Sequence, residues 1–108
     1  MSGNRVGLAI LIAVLTSTPA AAKGLDVLRG KFAFNWRSEP SREKCVKVTD
    51  ALLAAFKSNK YRCALKPITN TSTGASARTC TQPKGKEYLI FDTLLACENE
   101  RKDQASNE

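Results

Sequence analysis

The first change of rhythm along the chain is the sharpest. Residues 6–15 hold nothing polar and follow a short polar start carrying one cation, Arg5. Thr16, Ser17, Thr18 and Pro19 then break any helix, and Ala20, Ala21 and Ala22 place small residues ahead of a cut after Ala22. This layout predicts a cleavable secretory leader over residues 1–22. Ten apolar residues span only about 15 Å as a helix, half of a bilayer core, so no stable membrane anchor is expected after cleavage.

Beyond the leader the spacing predicts one helix and four strands. Phe32, Phe34 and Trp36 alternate, giving a strand over 31–36 with one aromatic face. From 42 to 58 the apolar residues Cys45, Val48, Leu52, Ala55 and Phe56 recur at helical spacing, opposite Lys47, Asp50 and Lys57, with Ser41 as N-cap. Strands are predicted over 61–65, 76–81 and 87–93, with the apolar run continuing to Cys97. Residues 66–75 are polar and predict a long loop. Residues 98–108 are charged and predict a frayed or disordered tail after a single small domain over 23–97. The helix is expected to dock on the sheet through Cys45, Val48, Leu52 and Phe56. Its expected partners are the 32/34/36 face and either Tyr88 and Ile90 or Leu89 and Phe91, the latter pair preferred because it shares parity with Cys97.

Four cysteines, Cys45, Cys63, Cys80 and Cys97, are spaced 18, 17 and 17 apart. No two are close enough for a zinc knuckle, so in an exported chain they predict two disulfides. With the helix start and the end of the last strand at one end of the sheet, Cys45–Cys97 and Cys63–Cys80 are the preferred pairs. A bend after Thr93 instead allows Cys45–Cys63 with Cys80–Cys97. The fold class read from this order is α+β, one helix on a small antiparallel sheet in the order βαβββ, stapled by two disulfides. It loosely resembles the cystatin-like layout. The Gln-Val-Val-Ala-Gly hairpin of cystatins is absent, so the resemblance implies no inhibitory residue.

Composition narrows the function classes. The 108 residues contain no His, and 17 Lys and Arg against 10 Asp and Glu give a net charge of +7. Without His, and with every Cys expected to be oxidised, neither a His general base nor a thiolate nucleophile is on offer, and no carboxylate pair stands out. The chain is therefore expected not to be an enzyme, and to need no cofactor or metal. Residues 23–86 carry a net +10 and residues 87–108 a net −4. Lys31, Arg37, Lys44, Lys47, Lys57, Lys60, Arg62 and Lys66 are the candidates for a polyanion-binding surface. Lys66, Thr69, Asn70, Thr71 and Thr73 are the candidates for a recognition loop. The expected function is a small secreted or periplasmic interaction module whose partner is an unknown macromolecule, such as an exported protein. The alternative is a basic protein that binds an anionic envelope polymer, acidic glycan, lipopolysaccharide or nucleic acid.

Overall fold

The computed structural model describes residues 24–108, so the leader predicted over 1–22 lies outside the described residues. Five strands, β1 (Phe32–Asn35), β2 (Val46–Lys47), β3 (Arg62–Ile68), β4 (Ala77–Thr81) and β5 (Glu87–Phe91), form one antiparallel sheet in the order β2-β1-β5-β4-β3. Helix α1 (Asp50–Lys57) lies between β2 and β3, and helix α2 (Leu94–Ser106) follows β5. Short 3-10 turns sit at Leu25–Leu28 and Pro40–Arg42.

The register divides the side chains between two faces. Ala33 opposes Ile90 and Val46, Asn35 opposes Tyr88, and Tyr88 opposes Cys80. That face receives α1 and the Leu25–Leu28 turn, and buries Leu28, Val48, Leu53, Phe56 and Ile90. Phe56 packs edge-on against both Tyr61 and Tyr88, with ring centroids 5.3 Å apart in each case. The other face carries Phe32, Phe34, Leu89, Phe91 and Ala77. Phe34 and Phe91 lie with their rings parallel beneath Cys97 of α2.

The α+β class holds, but the strand order is not that of the expected βαβββ or cystatin-like layout. The chain runs β1–β2–α1–β3–β4–β5–α2, with a helix on each face. Only the second half of the predicted 42–58 helix forms. Cys45, Val46, Lys47 and Val48 alternate in an extended segment, where two β-branched residues favour a strand. The helix begins at Asp50 because the Thr49 hydroxyl accepts the Leu52 N–H at 3.3 Å. Thr49, not Ser41, is the N-cap. The later start also changes the docking stripe. Leu53 and Phe56 are buried, whereas Leu52 is only half-buried. The sheet partners are Tyr88 and Ile90, not the preferred Leu89 and Phe91, which face α2 together with Phe32 and Phe34.

Residues 98–106 do not fray. They continue α2, whose start is fixed by the Thr93 hydroxyl accepting the Ala96 N–H at 3.1 Å. The apolar run after Phe91 turns into this helix instead of prolonging the strand. α2 has almost no hydrophobic stripe: Leu94 and Leu95 point to solvent, while Cys97 and Glu100 are buried. At its C-terminal end, Glu108 accepts hydrogen bonds from the Ser41 N–H at 2.8 Å and the Ser41 hydroxyl at 3.0 Å. Arg101 donates to the Pro40 carbonyl at 3.2 Å.

The disulfides are Cys45–Cys97 and Cys63–Cys80, with Cα separations of 6.2 and 4.0 Å. Cys63 and Cys80 are direct cross-strand partners on β3 and β4. Cys45 reaches Cys97 by a different route from the expected one, since neither sits on the element assigned to it. Cys45 precedes β2, and Cys97 rides on the first turn of α2, so this bridge fastens α2 to the edge of the sheet. Two bridges in so small a domain are consistent with an extracellular or periplasmic location. No helix among the described residues is long and apolar enough to cross a membrane.

Candidate functional site

α2 packs on the Pro40–Arg42 turn and, on the sheet, mainly on β1 and β5; Ala77 of β4 is buried with Cys97, but the part of this face around Thr79, Thr81 and Ala64 is not covered by the helix. There the register lines up Leu89, Thr79 and Ala64 in one row and Glu87, Thr81 and Arg62 in the next. Above this floor lies a cleft of about 290 Å³. Thr79 and Leu89 form its base, and Trp36 and Ile68 stand on its apolar walls. Gln104 and Glu100 of α2, with Asn70, Thr71 and Ser72 of the 69–76 loop, close the far side.

Trp36 is 40% exposed, unlike Phe34 beside it in β1. Its indole N–H donates to Glu87 Oε1 at 2.8 Å, which fixes the ring at the cleft mouth. Glu87 is itself held by the Thr81 hydroxyl and lies 3.7 Å from the Arg37 guanidinium. Arg37 also donates to the Gln82 and Gly85 carbonyls, so this strand end is a braced platform.

The loop wall is braced by a buried charge. Glu100 has no exposed surface. One carboxylate oxygen accepts from the Ser72 N–H at 2.9 Å, the Ser72 hydroxyl at 2.9 Å and the Gln104 amide at 2.8 Å. The other accepts from the Thr73 N–H at 2.9 Å and the Thr73 hydroxyl at 2.7 Å. Burial alone pushes the carboxyl up, but the hydrogen bonds from Gln104, Thr73 and Ser72 outweigh it and bring its pKa down from 4.5 to about 2. Gly74 follows with φ +81°, a conformation costly for any residue with a Cβ.

The predicted recognition residues divide. Lys66 belongs to β3 rather than to a loop. Asn70 and Thr71 line the cleft, and Thr69 is exposed beside them. Thr73 is committed to Glu100, and the Thr71 hydroxyl donates to the Ala75 carbonyl at 2.7 Å. The predicted cations do not form one surface. Lys31 pairs with Asp92 at 3.0 Å, Lys57 with Asp26 at 2.6 Å, and Arg37 is folded onto the β4–β5 turn. Lys44 and Lys47 lie at the β2 edge, and Lys66 is exposed on the opposite edge strand. Lys60 and Arg62 sit where β3 starts, the end of the sheet that also carries Lys84 and Lys86 in the β4–β5 turn. None of these last four makes an ion pair among the described residues. Arg62, Arg37, Thr81 and Pro83 border a second, shallower depression there of about 440 Å³.

Sequence reasoning missed Glu100, Gln104, Glu87 and Thr79. The signal for the first two was present: Cys97, Glu100 and Gln104 are spaced three and four apart, one helical face. No protein-family model, curated protein or solved structure matches this chain.

Proposed function

We propose that the protein is an exported, non-enzymatic interaction module that recognises its partner through the cleft on the open part of the α2-side sheet face. The observation that carries this reading is Trp36, a large aromatic left 40% exposed and yet held in one orientation by Glu87 at the mouth of a braced cleft. Exposed aromatics with a fixed edge are favoured contact residues, because they offer large area at small entropic cost. Export follows from the leader layout over 1–22 and accords with the two disulfides. The carboxylates of the cleft support a non-catalytic role: Glu100 is saturated with donors and Glu87 is spent on holding Trp36.

A photoactivatable residue at Thr79, on the cleft floor, should give a discrete adduct from the native envelope or secreted fraction. The same group at Lys102, on the exposed side of α2, should give none. Equal labelling at both positions would overturn the assignment. A second reading, polyanion binding, is favoured by Lys60, Arg62, Lys84 and Lys86 at one sheet end, none of them ion-paired among the described residues. It requires binding that collapses between low and physiological salt and is weakened by charge removal there while Thr79 substitutions leave it intact.

A further inference from the structure

We infer that the occupant of the cleft is a neutral pyranose ring of an oligosaccharide or polysaccharide, stacked on Trp36. This rests on the binding-module reading and names its ligand class. The lining excludes the other ligand chemistries in turn. No Lys or Arg among the described residues lines the cleft, so its walls offer an anion no positive charge. Its two carboxylates already hold donors, Glu100 five and Glu87 the Trp36 indole and the Thr81 hydroxyl, so neither is waiting for a cation.

A purely apolar side chain would bury polar groups that have no partner. Among the described residues the Asn70 amide and the Thr79 hydroxyl make no hydrogen bond, and the Gln104 carbonyl oxygen accepts none while its amide nitrogen serves Glu100. Covering such groups without replacing their water costs free energy. What remains is a ligand with a flat apolar face for Trp36 and Leu89 and its own ring of hydroxyl or acetamido groups for Asn70, Thr79 and Gln104. A pyranose with equatorial substituents has that form, its axial C–H bonds making the flat face. A volume of about 290 Å³ is at the small end of ligand pockets and suits a single ring. Flanking sugars of a chain would then lie over the open floor at Ala64 and Thr81.

The test uses the oxidised protein, in which Trp36 is the sole tryptophan. Neutral tetrasaccharides of different linkage and substitution (chitotetraose, cellotetraose, maltotetraose) are titrated by Trp36 emission and by calorimetry, and insoluble chitin and cellulose are used in pelleting. At least one should bind saturably, shift the emission and be insensitive to salt. Binding of the soluble tetrasaccharide assigns free oligosaccharide as a sufficient ligand, whereas pelleting without it assigns the polymer. Thr79→Phe, which fills the floor with a strand-compatible side chain, should abolish binding with the circular dichroism unchanged. Trp36→Ala, followed by calorimetry, should weaken it about tenfold or more, the loss of roughly 1.4 kcal/mol. Asn70→Ala, a loop change that leaves the core untouched, should also weaken it. Binding that survives Thr79→Phe would overturn the proposal. So would the absence of any neutral sugar binding while an Arg- or Lys-containing peptide probe shifts the Trp36 emission, an outcome that leaves the cleft as a binding site and removes the sugar.

Discussion

Replacing Glu100 by Gln removes one negative charge from the centre of five donors and changes almost nothing in size. Glu100 is held near pKa 2 in the fold, against 4.5 when unperturbed. A carboxyl whose folded pKa is depressed contributes stability above its unfolded pKa and loses it as pH falls through the folded value. Each unit is worth about 1.4 kcal/mol, so the charge contributes about 3 kcal/mol at neutral pH, a large share of a domain stability of about 5–15 kcal/mol. Glu100→Gln should therefore cost about 3 kcal/mol at pH 7, the new amide N–H₂ also meeting head-on either the Ser72 and Gln104 donors or the Thr73 donors, whichever oxygen it replaces. The assay is urea unfolding of both proteins from pH 7 down to pH 2. Asp26 and Asp92, held low by Lys57 and Lys31 respectively, titrate in both proteins and cancel in the difference. The gap between wild type and variant should be constant above about pH 5 and shrink steadily below it. A gap that stays constant to pH 2, or that is absent at pH 7, would refute the claim that a buried carboxylate pins the 72–73 turn to α2.

Leu53→Ala should cost about 2–5 kcal/mol in urea melts and Leu52→Ala distinctly less, because Leu53 is buried and Leu52 half-exposed; equal losses would contradict the observed start of α1. Peptide mapping of the oxidised protein should join Cys45 to Cys97 and Cys63 to Cys80, with no thiol free. Replacing Cys45 and Cys97 together by Ser should lower stability by about 2–5 kcal/mol and leave α2 the first element to exchange its amides. Sequencing of exported material should begin at Lys23 or Ala21, and an intact Met1 in a membrane fraction would defeat the leader.

The contrast between α1 and α2 shows what the sequence makes legible. Four strands and the second half of the 42–58 helix announce themselves because their apolar residues keep the period of the element they form. β2 does not, since Cys45 and Val48 keep helical spacing while Val46 and Val48 keep strand alternation, and the deciding signal is the Thr49 cap. α2 is hidden for a different reason. It is fastened by a disulfide, a buried carboxylate and polar contacts from Arg101 and Glu108, so no hydrophobic period marks it. The cleft depends on α2 and on the donors around Glu100, and inherits that obscurity. Asn70 is visible as a recognition candidate and Trp36 only as part of an expected core face, and what joins them is a helix that composition marks as a tail. The Cys63–Cys80 pair follows from the β3–β4 hairpin, which the alternation does reveal, whereas Cys45–Cys97 forms although the chain bends after Thr93 and neither cysteine lies on the element expected to carry it.

The most direct test of the cleft is a chemical-shift map of the isotopically labelled, oxidised protein titrated with chitotetraose, cellotetraose and maltotetraose. The Trp36 indole N–H and the side-chain amides of Asn70 and Gln104 each give a signal inside the cleft. At least one sugar should move all three together, with Thr79, Leu89 and Ile68 following and Lys84, Lys86 and Lys102 still. Shifts confined to the Lys60, Arg62, Lys84 and Lys86 end, with the indole and both amides unmoved, would contradict the cleft as the recognition site.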